Sequence, residues 1–387
     1  MSYTYKPSSL PNTRVDAADI LRGIAIGGIV MLHFIEHMNF YKFPELSTLD
    51  RVVWDSMFFL CGGKMYAIFS LLFGLSFFIQ HDNQAQKGKD FRLRFAWRMV
   101  LLMGFGLIDL LFFNGDILTV YAVGGLLVLP LIRLSNKTLG WIALFLALQP
   151  IELFYLARGA IDPSVQPLDL GSGNLFGALI EPQSHGTLWD VAVAGIQYGF
   201  RINFYWAIEN GRMTQTLFLF LLGILMGRKR FLYLEGDNAQ RWVRVMIASV
   251  FALFLILPVQ QTLPGLVENA CMAHSLQVML TMWRNAAMML FIVCGVTWTF
   301  HCTTWGKRLI AIAPYGKMSL TNYLGQSVIG GFLFYGWGLG LYQYSGHTMS
   351  LLLGACCVLL QYLFCRWWLS QHSRGPLETL WKRLTWL

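Results

Sequence analysis

Ten blocks of apolar residues, separated by polar or charged segments, run along this chain from end to end. They lie near 18–38, 57–80, 95–113, 115–134, 138–157, 210–228, 242–260, 276–300, 318–337 and 348–370. A helix crossing a hydrocarbon layer of about 30 Å needs about 20 residues, and the blocks fit that ruler. None shows sustained alternation of apolar and polar positions, which argues against a β-barrel. The pattern predicts an all-α polytopic membrane bundle of about ten transmembrane helices. The third and fourth blocks are joined only by Asn114, Gly115 and Asp116, which predicts a tight helical hairpin. The sixth is the shortest, with its apolar centre from Met213 to Gly227.

The largest piece between blocks is 158–209. Gly, Pro and Ser punctuate it from Arg158 to Gly173, and Leu188 to Phe204 follows with Trp189, Val193, Ile196 and Phe200 at helical spacing. This predicts an amphipathic helix lying on the outer surface of the bundle, packed there in preference to serving as a lid. The chain divides accordingly into a membrane half of five spans (1–157), an outer segment (158–209) and a second half of five spans (210–387). After the last span Gly375-Pro376 breaks the helix, and Glu378 to Leu387 reads as a short amphipathic helix without a catalytic role. Trp381, Leu384 and Trp386 suit the inner interface, with Lys382 and Arg383 toward lipid headgroups.

Charge gives the bundle a direction. With the N-terminus inside, 22 of the 29 Lys and Arg fall in inner segments and 5 in outer ones, while Lys64 and Arg284 lie within spans. The bias alternates at each crossing, predicting a bacterial inner-membrane protein with both termini cytoplasmic. The net charge of +9 is then an excess in short inner loops facing anionic lipid, and no nucleic-acid partner is needed to explain it. Residues 1–17 are polar and the block after them is long enough to span, so the first helix is expected to be an uncleaved anchor.

Composition agrees. The 387 residues are 56% hydrophobic and 13% charged, with a mean hydropathy of +0.53. A soluble domain of this size needs more charged surface. The cysteines are 61, 271, 294, 302, 356, 357 and 365, without a C-x-x-C pair. Cys61 and Cys271 alone fall near the outer face, where an oxidising compartment would permit a disulfide; the rest are apolar filler.

Ionisable and amide groups within the spans are the candidates for chemistry, because a central charge costs about 2.5–3.5 kcal/mol on insertion scales. They are His33, Glu36 and His37 on the first helix, Lys64 on the second, Asp109 and Asp116 at the outer ends of the third and fourth, Arg284 on the eighth, and Asn322 and Gln326 on the ninth. The alternating direction of the spans puts His33, Lys64, Asp109 and Arg284 at one level near the outer side. Such convergence fits a buried polar site or a structural ion-pair network equally. His33-Phe34-Ile35-Glu36-His37 also matches H-x-x-E-H, the inverted zinc-peptidase signature, with Asp109 or Glu45 as the third ligand it would need. A helix end reaching interfacial water is the preferred explanation, and no metal is expected.

Several motifs carry a resemblance. Arg14-Val-Asp-Ala-Ala-Asp-Ile-Leu-Arg22-Gly23, Phe69-Ser-Leu-Leu-Phe-Gly74, Asn114-Gly-Asp-Ile-Leu118 with Tyr121, Gly316-Lys-Met-Ser-Leu-Thr-Asn-Tyr-Leu324 and Gly375-Pro-Leu-Glu378 with Trp381 resemble, in order, the hallmarks of the YeiB family of bacterial membrane proteins. That family is similar to transmembrane acyltransferases, which move an acyl group from cytoplasmic acyl-CoA to an acceptor across the membrane. The resemblance implies acyl-CoA as donor substrate and a histidine within the bundle as catalytic group. The chain departs from the family in carrying His at 33 and Asp at 109, where members more often have Asn and His. The exchange implies that the two positions face each other. The outer-loop histidine of the heparan-α-glucosaminide acetyltransferase, a eukaryotic member of that acyltransferase group, has no counterpart here, since 39–56 contains none.

The expectation is therefore a transmembrane acyltransferase with a periplasmic or membrane-bound acceptor. His33 is its base and Asp109 orients it. Lys64 or Arg284 stabilises the oxyanion, and Asp116, Asn322 and Gln326 join the substrate site. Membrane lipid, a small-molecule donor and a small-molecule acceptor are the expected partners, and a homodimer is compatible. A small-molecule transporter would use the same polar groups, although no convincing inverted repeat is visible. A non-catalytic membrane protein would keep the bundle alone. Glycines such as Gly23, Gly27, Gly28, Gly330 and Gly331 serve rocking in a transporter and close packing otherwise, and packing is preferred.

Overall fold

The computed structural model describes Asn12 and residues 15–36 and 46–387, all helical or loop, with no strand among them. The first half comprises α1 (Asp16–Ile35), α2 (Thr48–Leu60), α3 (Lys64–Ala85), α4 (Arg92–Asp109), α5 (Leu118–Val128), α6 (Asn136–Ala147) and α7 (Pro150–Ile161). A 3₁₀ turn, Leu129–Arg133, extends α5. The middle segment holds α8 (Ser172–His185), α9 (Leu188–Ala194) and α10 (Phe200–Glu209), the last two joined by a π turn over Gly195–Gly199. The second half comprises α11 (Arg212–Arg228), α12 (Asn238–Leu266), α13 (Ala270–Cys302), α14 (Gly306–Leu309), α15 (Ala313–Lys317), α16 (Ser319–Phe334), α17 (His347–Gln371) and α18 (Pro376–Trp386).

Each apolar block is mostly helical where described, with breaks at 61–63, 110–117, 148–149 and 335–337, but the blocks are unequal. Five stretches are long and apolar enough to cross a membrane: α1, Thr48–Ala85, α12, α13 and α17. The pair α6 and α7 makes a sixth if counted together, bent by 47°. The bend has a local cause. Gln149 adopts φ 57° between the helices, and Pro150 then starts α7 at the position where its missing N–H costs nothing. Trp283 Nε1 donates to the Ala147 carbonyl, which the break leaves free, at 2.7 Å. The expected hairpin at Asn114–Asp116 is looser than predicted. The connection runs from the end of α4 at Asp109 to the start of α5 at Leu118, because Asp116 caps α5 instead of ending α4.

The centre of the bundle is α3 crossing α11, and the crossing is set by glycine. A Cβ on Gly74 would lie 2.1 Å from the Phe220 carbonyl oxygen, and one on Gly223 would lie 2.1 Å from that of Leu71. The two backbones touch, and only glycine on both sides permits it. Helix α1 packs against α3, α15 and α17, so both halves share one core. Helix α12 is the peripheral one. It exposes Ile247, Val250, Phe251, Phe254 and Leu255, which in a lipid layer is no penalty.

The middle segment departs from expectation. Helix α8 was not anticipated, and the stripe of Trp189, Val193, Ile196 and Phe200 faces outward, with Trp189 75% and Ile196 62% exposed. The buried side is made by Val191, Ala194, Gly195, Gly199 and Ile202. Small residues bring this helix against the Leu110 backbone, leaving the large apolar ones free to meet lipid. Helix α18 forms as predicted and is pinned to α4. Trp381 Nε1 donates to the Arg98 carbonyl at 3.3 Å, and Trp97 Nε1 donates to the Leu384 carbonyl at 2.9 Å. The Arg98 and Arg94 guanidinium groups lie 4.1 and 4.2 Å over Trp381 and Trp386.

Candidate active site

One end of α1 and the start of α3 border a cavity of about 470 Å³. His33, Glu36, Asp116, Arg212, Arg284, Asn285 and Tyr323 are among its polar lining groups. They come from α1, α11, α13, α16 and the α4–α5 connection, so distant stretches of chain do converge.

His33 is held differently from expectation. Its Nδ1 lies 3.1 Å from Gln326 Nε2 on α16. Its ring centroid lies 4.8 Å from that of Phe113 and 6.3 Å from that of Tyr323. Gln326 is fully buried, and its carbonyl oxygen has no hydrogen-bond partner among the described residues. A half-turn of the carboxamide would therefore present that oxygen to an Nδ1–H and leave Nε2 as a base.

Asp109 does not orient His33. It is 1% exposed, does not line the cavity, and neither carboxylate oxygen has a hydrogen-bond partner among the described residues. Phe113, whose amide donates to the Asp109 carbonyl, meets the imidazole instead. Asp116 does border the cavity, but its carboxylate accepts from the Leu118 and Thr119 amides at 2.9 and 2.8 Å, as the start of α5 requires. The adjacent Ile117 amide donates to the Tyr323 hydroxyl at 3.0 Å.

Lys64 is fully buried and outside the lining. Its ammonium donates to the Phe58 carbonyl at 3.1 Å, closing the turn from α2 into α3. The oxyanion role falls away for it on geometry, since it is buried at the helix junction and does not line the cavity. Asn322 is likewise structural: its side-chain amide donates to the Tyr315 carbonyl at 3.0 Å and to Cys365 Sγ at 3.3 Å. Arg284 lines the cavity and donates to the side-chain oxygen Oε1 of Gln260 at 3.1 Å. Of the seven residues given site roles from the sequence, then, His33, Asp116 and Arg284 line the cavity and Gln326 supports it from behind, while Glu36 of the wider candidate set lines it too.

Arg212 and Asn285 were missed. By charge pattern Arg212 is one of the five outer-segment charges, with Lys42, Arg51, Arg158 and Arg201, and arginines there ordinarily reach water. Instead its guanidinium lies 5.3 Å over the Tyr66 ring and 5.6 Å from that of Trp206, with Nε and Nη1 lacking a hydrogen-bond partner among the described residues. Asn285 is 1% exposed, and neither polar atom of its side chain has a partner there either. Gly63, at φ 78°, makes room for both. A Cβ on it would fall 2.3 Å from Asn285 Nδ2 and 2.7 Å from Arg212 Nη1.

A smaller cavity of about 250 Å³ opens toward the other ends of α1 and α3. Asp19, Arg22, Ser76, Arg98, Lys317 and Glu378 are among its lining groups. The Arg14–Gly23, Phe69–Gly74, Gly316–Leu324 and Gly375–Glu378 motifs all contribute to it. On α3, Tyr66 borders the first cavity and Phe69 the second, so about one helical turn separates them along that helix. His37 and Glu45 of the zinc-like pattern lie outside the described residues, and among the described ones no cluster of three His, Cys, Asp or Glu is placed to hold a metal. Cys61 and Cys271 are both buried free thiols.

Comparison with known proteins places these features. Residues 226–387 match the family of proteins of unknown function DUF418, and residues 14–159 match the catalytic domain of heparan-alpha-glucosaminide N-acetyltransferase. The uncharacterised protein YxaH of Bacillus subtilis is 27% identical, over 98% of this chain and 96% of that protein. An uncharacterised 39.9 kDa protein from an amylase 3′ region of Bacillus acidopullulyticus is 25% identical over 96% and 94%, and the uncharacterised protein YeiB of Escherichia coli 26% over 95% of each. The chain is thus similar over nearly its whole length to uncharacterised YeiB-type proteins and in its N-terminal stretch to an acetyltransferase catalytic domain, and the described residues include several membrane-length apolar helices.

Proposed function

We propose that this YeiB-type chain is a transmembrane acyltransferase of the bacterial inner membrane, taking acyl groups from cytoplasmic acyl-CoA and passing them to an acceptor on the outer side. The observation that carries this reading is His33. It lies within the stretch similar to an acetyltransferase catalytic domain, lines the larger cavity, and meets a buried glutamine from the DUF418 stretch. Two cavities about one helical turn apart along α3 give a donor and an acceptor separate places to approach one another. Ten crossings with both termini cytoplasmic follow if α4, the extended α5, the bent pair, α11 and α16 also span; helices a few residues short are accommodated by local thinning.

The acceptor hydroxyl or amine loses its proton to His33 Nε2 as it attacks the thioester carbonyl. Gln326, turned to accept from Nδ1–H, holds the imidazole in the basic tautomer. The carbonyl electrons return, the C–S bond breaks, and the imidazolium gives its proton to the departing CoA thiolate. Arg284 is the cavity-lining donor for the oxyanion. Purified protein in nanodiscs supplied with radiolabelled acetyl-CoA tests this. His33→Ala is expected to slow transfer by a factor of about 10²–10⁴. Unchanged transfer removes His33 from the reaction.

A further inference from the structure

The larger cavity carries more positive hydrogen-bonding capacity than its described residues use. Arg212 leaves Nε and Nη1 unpaired among the described residues, and Arg284 leaves Nε unpaired. Asn285, 1% exposed and bordering the same space, pairs neither end of its amide. Among the described residues the acidic groups on the lining are Glu36, Asp55 and Asp116. Asp116 is bound to the backbone amides of α5, Asp55 lies exposed on α2, and Glu36 is a Coulombic neighbour of Arg212. Buried polar atoms left without partners are costly, and charged ones more so. A ligand bringing acceptor oxygens would satisfy them together. The meeting of Arg212 and Asn285 over Gly63 is specific, since any side chain at Gly63 would displace one of them.

We infer that this cavity takes an acceptor carrying an anionic group, a phosphate or a carboxylate, beside its nucleophilic hydroxyl or amine, with Arg212 and Asn285 as the ligands of the anion. A planar guanidinium and a carboxamide side by side offer several N–H donors to such oxygens. Calling the molecule an acceptor rests on the acyl-transfer reading; the anion site itself does not.

The test uses the full chain without any acyl donor. Phenylglyoxal modification of Arg212 is followed by mass spectrometry in phosphatidylcholine nanodiscs, with inorganic phosphate, glucuronate or glucose added. A second arm replaces part of the lipid with phosphatidylglycerol. Slower modification with phosphate or glucuronate, and not with glucose, supports a soluble anionic ligand; slower modification only with phosphatidylglycerol supports a lipid headgroup. Asn285→Ala is expected to raise the protecting concentration about tenfold, the loss expected for a hydrogen bond to a charged group, and Asn285→Asp to abolish protection. Equal protection by glucose, or none by any anion in either arm, overturns the inference. Protection that persists while His33→Ala leaves transfer unchanged sinks only the catalytic reading. Transfer that depends on His33 without protection of Arg212 sinks only this one.

Discussion

Replacing Glu378 with alanine removes the clasp between the C-terminal helix and the helix that carries Gln326. The Glu378 carboxylate on α18 accepts from the Leu320 amide at 2.8 Å, the Thr321 amide at 3.1 Å and the Thr321 hydroxyl at 2.7 Å. Those two amides occupy the second and third positions of α16, the ones an N-cap side chain normally satisfies. Met318, at the cap position, has no oxygen to offer. Glu378 thus caps α16 from another helix. Losing a cap costs about 0.5–2 kcal/mol and losing a hydrogen bond to a charged group about 1.5–3 kcal/mol, so a half-buried carboxylate with three such bonds contributes about 2 kcal/mol. Hydrogen exchange of the protein in nanodiscs reads this directly. Protection at Leu320 and Thr321 is expected to fall about thirtyfold in Glu378→Ala, that energy expressed as an opening constant. Glu378→Gln keeps an acceptor without the charge and is expected to fall between the two. Unchanged protection at these amides, with α18 still docked, would refute the capping role.

Gly74→Ala forces a methyl against the Phe220 carbonyl, so thermal unfolding is expected to show a loss of about 1–3 kcal/mol despite alanine's better helix propensity; an unchanged melting temperature would mean that α3 and α11 do not touch. Gln326→Leu is expected to lower the transfer rate about tenfold or more with little change in KM, and Gln326→Glu, which keeps an acceptor for Nδ1–H, to recover part of it; equal rates in the two variants would deny Gln326 its positioning role. The Arg92 guanidinium hydrogen-bonded to Asp90, followed by the Arg92 amide and the Arg133 charge, holds the Asp90 carboxyl down to about 2 from 3.8. A depressed folded-state value stabilises above pH 3.8, and that contribution fades as pH falls toward 2. Both arginines are partly exposed, so Asp90→Asn is expected to flatten this acid dependence only slightly in thermal scans from pH 5 to 2, and an identical or steeper wild-type-like slope would remove the ion pair from the account.

The helices were legible because lipid imposes a simple rule on sequence. A backbone in hydrocarbon must satisfy its own hydrogen bonds, so every spanning segment must be a long apolar helix or part of a barrel, and blocks such as 242–260 and 348–370 announce themselves. The motifs were legible too, and four of them meet around the smaller cavity. The short helices were less so, because length alone does not distinguish α11 or α16 as a span from a buried helix. The outward stripe on α9 and α10 was misjudged for a physical reason. In water large apolar residues mark the packed face, but beside lipid they mark the free one, and small residues such as Gly195 and Gly199 mark contact.

The site divides in the same way. Sequence alone, through charge and amide groups stranded in apolar blocks, determined that His33, Arg284 and Gln326 belong to a protein interior. It could not choose among them, because insertion cost depends on a residue's own chemistry while function depends on what it meets. Only the tertiary structure decided that Gln326 and not Asp109 meets the imidazole, that Lys64 serves a helix junction, and that Arg212 turns into the cavity over Gly63. Those outcomes follow from where α4 ends, from one glycine's positive φ and from the crossing of α3 with α11, none of which leaves a local trace in composition or period.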